Sequence, residues 1–181
     1  MLDAAGVPHD ACPADIDERA IEAGMADLAP GEVALALARA KAAVVAQAQP
    51  GRVVLGSNSL VVVGGRRFAK PGSRDEAASH LRWFSGREME LHSAAALLCD
   101  AVVLWQFADR AVLQVRPLSP AFIADYLDAE WPQVAGCVGV FRIEAMGAQL
   151  FENITGSHFT VLGMPLLPVL GALRDLGMLA A

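Results

Sequence analysis

The stretch from Val53 to Pro71 leaves this chain few ways to fold. Val53-Val54-Leu55 and Leu60-Val61-Val62-Val63 are β-branched and aliphatic runs of the kind that buried strands carry. Between them stands Gly56, followed by the small polar set Ser57-Asn58-Ser59. A strand end or a bulge is expected at that set, presenting polar side chains at a sheet edge or crevice. Gly64-Gly65 permits a tight reversal, and Pro71 holds Lys70 extended. Polar groups and a fixed cation would then face one opening, and openings at strand ends are where α/β proteins tend to bind ligands. Taken alone, the same residues also describe a hairpin with an ordinary polar tip.

The chain can bury such a strand. Its 181 residues suffice for one domain with a sizeable core, and 55% hydrophobic against 19% charged residues excludes intrinsic disorder. A net charge of −6 opposes nonspecific binding to nucleic acid or to an anionic membrane, both of which need a basic face. No run reaches the roughly 18 apolar residues of a membrane span, and Met1 to Ala5 lacks a basic flank leading into an apolar signal core. The expectation is a soluble, cytoplasmic protein with no nucleic-acid and no membrane partner. Cys12, Cys99 and Cys137 are odd in number and widely spaced, which argues against a disulfide framework and against a thiolate zinc site.

Along the chain, Gly6 reads as a glycine stop to a short helical turn. Gly31 to Ala48 predicts an alanine-rich helix with Leu35, Ala38 and Ala42 at helical spacing. Ser73 and Glu76 have capping-box spacing, and Ala77, Ala78, Leu81 and Phe84 form the apolar face of the helix that follows, with His80 on its surface. Met89–Leu98 and Ala101–Val115 predict two long strands, with His92 a strand residue without a chemical task. Ser119-Pro120 caps a further helix whose apolar face is Phe122, Ile123, Tyr126 and Leu127. A closing loop over Phe151 to Gly163, with His158 near its surface, leads through Met164-Pro165 into a last helix. With no internal repeat and no low-complexity linker, residues 1–181 read as a single domain.

Gly56-Ser57-Asn58-Ser59-Leu60-Val61 together with Ala69-Lys70-Pro71, and Gly156 to Pro165 further on, resemble the motifs of the Maf family of nucleotide pyrophosphatases. The resemblance covers nearly the whole chain. It implies an α/β fold with a long twisted mixed sheet flanked by helices, similar to the inosine triphosphate pyrophosphatases. It also implies hydrolysis of a nucleoside triphosphate to the monophosphate and pyrophosphate, with a divalent cation, magnesium or manganese, as cofactor. Carried over by position, Lys41 and Lys70 bind phosphate, Glu18 binds the metal, and Ser59 and Glu144 select the substrate. A glutamate at 144 matches the branch acting on methylated guanosine triphosphate, since a carboxylate accepts both N–H donors of the guanine edge and favours a cationic ring. Without the resemblance, Glu18 is a solvated acidic turn, Lys41 a solvated helix lysine and Glu144 a solvated strand-end acid. A homodimer is compatible with this picture.

Two features depart from the family pattern. Asn58 occupies the position of the family's catalytic aspartate, and an amide cannot take a proton at neutral pH. The family's first strand and its phosphate loop of serine, any residue, arginine, arginine are expected to be lacking ahead of Met1; the loss of a core strand would be costly, which favours a start placed too far downstream. Two functions of different classes follow: a pyrophosphatase slowed by the amide, or a catalytically silent nucleotide-binding protein.

Overall fold

The computed structural model describes residues 1–180. Its helices are α1 (Glu18–Ala23), α2 (Pro30–Ala48), α3 (Arg74–Phe84), α4 (Pro120–Glu130), α5 (His158–Val161) and α6 (Leu166–Asp175). Its strands are β1 (Val53–Val63), β2 (Arg66–Phe68), β3 (Glu88–Cys99), β4 (Val102–Val115) and β5 (Phe151–Thr155), joined in one sheet of order β2-β1-β3-β4-β5. The α/β architecture is as expected, but the pairings are antiparallel where a mixed sheet was expected: Val61 faces Phe68, and Leu113 faces Ile154. The reason is the connections. Gly64-Gly65, both at positive φ, link β1 to β2, and Asp100-Ala101 link β3 to β4; two-residue links join only antiparallel neighbours.

Backbone contacts divide the chain into two compact units, one comprising Met1–Ser59, His92–Asp109 and the segment from Gly163 onward, the other Leu60–Leu91 and Arg110–Leu162.

In the first unit, α2 forms because alanine dominates it, Pro30 opens it where its missing N–H costs nothing, and the Glu32 carboxylate accepts from the Ala29 N–H at 3.0 Å. Val33, Ala34, Leu37, Ala38, Ala42 and Ala46 make its buried face, with Leu37 rather than Leu35 turned inward. The helix lies on β1 with no space to spare. A Cβ at Gly56 would come within 2.8 Å of the Ala42 nitrogen and 2.9 Å of the Ala42 Cβ, and closer still to the Ala38 carbonyl oxygen. Glycine is therefore the residue that admits the helix. β1 itself runs through Ser57-Asn58-Ser59 without the expected strand end, and Asn58 and Ser59 find partners beside the strand.

The second unit has its own core of Phe84, Leu81, Met89, Leu113, Tyr126 and Leu127, between α3, α4 and the sheet. Ser73 and Ser119 accept from the N–H groups of Glu76 and Phe122, capping α3 and α4 as their spacing predicts. The segment expected as a closing loop contains β5 and α5. His80 is buried, not on the helix surface: its ring packs edge-on against Phe68 at 5.0 Å between centroids, on the same side of α3 as Phe84. Among the described residues its Nδ1 has no partner, and Nε2 lies 3.7 Å from the Glu76 carboxylate. Burial lowers the pKa of His80; Glu76 opposes that shift, and Arg66 reinforces it.

Two outcomes follow from this packing. Gly56→Ala should destabilise the protein by about 1–3 kcal/mol or more, since the added methyl meets helix backbone that cannot rotate away, as a urea denaturation curve would register. His80, with a folded pKa below its unfolded value of about 6.5, takes up its proton first in the unfolded chain. Stability should therefore fall as pH drops through about 6.5, and the loss in urea midpoint between about pH 7.5 and 5.5 should be smaller in His80→Leu.

Candidate active site

Asp17 caps α1 by accepting from the Ala20 N–H at 3.0 Å, so Glu18 begins that helix instead of lying in a loose acidic turn. Lys41 lies one turn beyond Leu37 and Ala38 on α2, at the border of the buried face, and its ammonium has two partners. Nζ stands 3.0 Å from the Glu18 carboxylate and donates to Asn58 Oδ1 at 2.7 Å. Gly56 and Asn58 are two apart on β1 and so share a face, which explains why the helix that meets one reaches the other. Asn58 is 6% exposed. Its amide orientation is set by Lys41, because the reverse would oppose two donors, and this leaves Nδ2 buried without an acceptor among the described residues. The trio carries no net charge, where an aspartate at 58 would leave it negative.

Ser59 is the next residue and by strand alternation faces the other side of β1. Its hydroxyl lies 2.9 Å from that of Ser93 on β3, and a Cβ on Gly163, which sits at φ +102°, would lie 3.8 Å from the Ser59 Cβ. Asn58 and Ser59 thus do not present side chains to one opening, although Glu18, Lys41 and Asn58 do meet.

Lys70 and Glu144 belong to the second unit. Lys70 is exposed, with buried Pro71 behind it. Glu144 is exposed in the turn after Phe141. Both act on the half-buried thiol of Cys137: burial raises its pKa first, the negative charge of Glu144 adds to that, and Arg142 and Lys70 oppose it. Lys70 and Glu144 are therefore both felt at the same thiol. Sequence reasoning missed what holds this region. The Tyr126 hydroxyl donates to the Val140 carbonyl at 2.9 Å, and burial raises the tyrosine pKa well above its usual value. Glu130 pairs with Arg142. A signal was present: Glu130 continues the stripe Ile123, Tyr126, Leu127 at the next helical step, where an apolar residue would be expected.

For a divalent cation, the donor set is sparse. No group of three His, Cys, Asp or Glu residues gathers among the described residues, Asn58 Nδ2 is a donor, and Asn58 Oδ1 already accepts from Lys41. Glu18 offers the one anionic oxygen pair in the trio, partly open to solvent. These residues fit an ion that arrives on the substrate's phosphates and takes a single protein carboxylate, as magnesium commonly does; they do not make a preassembled metal centre.

A family model described as Maf-like protein matches residues 1–176. The chain belongs to the Maf family. Among its relatives, the nucleoside triphosphate pyrophosphatase of Rhodopseudomonas palustris strain HaA2 is 47% identical over 180 residues, covering 99% of this chain and 89% of the relative. The 7-methyl-GTP pyrophosphatase of Mesorhizobium japonicum is 44% identical over 179 residues, covering 98% of this chain and 90% of the relative. A nucleoside triphosphate pyrophosphatase of Sphingopyxis alaskensis is 41% identical over 181 residues. Within this Maf chain, Tyr126→Phe should cost about 1–3 kcal/mol in thermal or chemical unfolding, because the Val140 carbonyl loses its donor in a buried setting.

Proposed function

We propose that this Maf protein hydrolyses a nucleoside triphosphate to the monophosphate and pyrophosphate, with a 7-methylated guanosine triphosphate as the substrate its residues suit best. The observation that supports the reading is the meeting of Glu18, Lys41 and Asn58 on α1, α2 and β1. An ammonium held between a carboxylate and a neutral amide is a cation site without excess negative charge, which a polyanionic substrate can approach. Relatives named nucleoside triphosphate pyrophosphatase and 7-methyl-GTP pyrophosphatase support the same reaction.

In this reading Lys41 and Lys70 neutralise phosphate charge. Glu18 holds the divalent cation, which when bound would draw electron density from the phosphoryl oxygens. A water attacks the α-phosphorus, the bond to the bridging oxygen of the β-phosphate breaks, and pyrophosphate leaves. Asn58 holds the Lys41 ammonium and takes no proton, so the water's proton passes to solvent and the step proceeds without general-base help at this position. Glu144 accepts the N–H donors of the guanine edge, and Ser59, hydrogen-bonded to Ser93 on the face of β1 opposite Asn58, acts on substrate choice through the set of the strand. We place this activity in the cytoplasm, where nucleoside triphosphates occur with reduced thiols such as Cys12, Cys99 and Cys137.

Pyrophosphate release from 7-methyl-GTP tests the reading directly. Asn58→Asp should raise the turnover rate by about a hundredfold or more, the usual worth of a positioned base. Nucleotide binding in both proteins with no release from either would sink it.

A further inference from the structure

Glu130, the last residue of α4, is 4% exposed, a rare position for an acid. Its two oxygens have separate partners. Oε2 accepts from the Arg142 guanidinium, with Nε at 3.0 Å and Nη2 at 2.9 Å, and Oε1 accepts from the Met146 N–H at 3.3 Å. Residue 144 lies midway between 142 and 146. One helical turn earlier on the same face of α4, Tyr126 ties down the Val140 carbonyl. Between these anchors the turn closes on itself, with the Ala145 N–H donating to the Arg142 carbonyl at 3.1 Å. Gly147 presses on it as well, since a Cβ there would come within 2.7 Å of the Arg142 nitrogen. The Glu130 contact also keeps Arg142 firmly protonated, and the charge of Glu144 adds to this. Glu144 is the exposed residue at the tip of a turn whose flanks are clamped.

We infer that Glu130 is a positioning residue for Glu144 and thereby sets nucleobase preference. The inference rests on Glu144 reading the base, as proposed above. An acid on a free surface turn would sample many orientations, and its hydrogen bonds to a base edge would be offset by the entropy of ordering it. Clamping residues 142 and 146 from a helix end removes the backbone share of that cost before the nucleotide arrives. The burial of one carboxylate thus orients another that is itself left open to the ligand.

The test measures kcat and KM for 7-methyl-GTP and for GTP in the parent protein, Glu130→Gln, Glu144→Gln and the double variant. Glu130→Gln should raise the KM for 7-methyl-GTP about tenfold, with the larger effect on KM than on kcat, and should flatten the kcat/KM ratio between the two nucleotides. In the Glu144→Gln background the same change should leave the ratio where Glu144→Gln has put it. Arg142→Lys, at a partly exposed position, should flatten the ratio in smaller measure and covers the case in which Glu130→Gln does not fold. A lowered Tm with the parent's ratio retained in Glu130→Gln, or in Arg142→Lys where the former is unfolded, overturns the inference while base reading by Glu144 stands. A parent ratio retained in Glu144→Gln overturns both.

Discussion

The approach of α2 to β1 at Gly56 is the contact on which the first constellation depends. A helix can come this close to a strand only where the strand lacks a side chain, and here the helix backbone at Ala38 and Ala42 occupies the space that a Cβ would need. Two residues along the strand from Gly56 and one position along the helix from Ala42, Asn58 and Lys41 then fall within hydrogen-bonding reach. The helix needs alanine on the same face for the same reason. Small residues on α2 are thus part of how the lysine is delivered, and its ammonium is oriented by backbone proximity as much as by Glu18.

The second unit positions its polar groups by another means. α4 carries a buried tyrosine and a buried glutamate one turn apart, and each spends its polar atoms on the chain between Val140 and Met146. A buried carboxylate in such a pair is weak evidence of stability once desolvation is counted; what it does here is fix the Arg142 and Met146 ends of the turn. The neighbourhood of Cys137, where Lys70, Arg142 and Glu144 are all felt, shows that the turn holds charges of both signs close together.

Much of the fold was legible in the residues. Caps such as Ser73 and Ser119, the Gly64-Gly65 reversal and the alanine-rich helix follow from local rules that need only a few neighbouring residues. The candidate residues Glu18, Lys41 and Asn58 were legible through family motifs, and the structure brings these three together. His80 is not the surface residue expected, although its helical spacing from Ala77 and Phe84 was a sign of burial; that Phe68 from the preceding hairpin would cover it was not legible. Nor was the unbroken course of β1, since whether Ser57-Asn58-Ser59 break a strand depends on partners supplied by α2 and β3.

Local chemistry therefore determined where the capped helices α3 and α4 begin, which residue types carry charge, and that position 58 holds an amide. Tertiary structure alone decided that one strand continues through Asn58 and Ser59, that Lys41 bridges Glu18 to Asn58, and that Glu130 is spent on holding the turn that bears Glu144. The physical reason is range. Caps, turns and propensities act over a few residues, whereas a hydrogen bond such as that from Lys41 to Asn58, or from Arg142 to Glu130, exists only once packing has brought separate elements within about 3 Å.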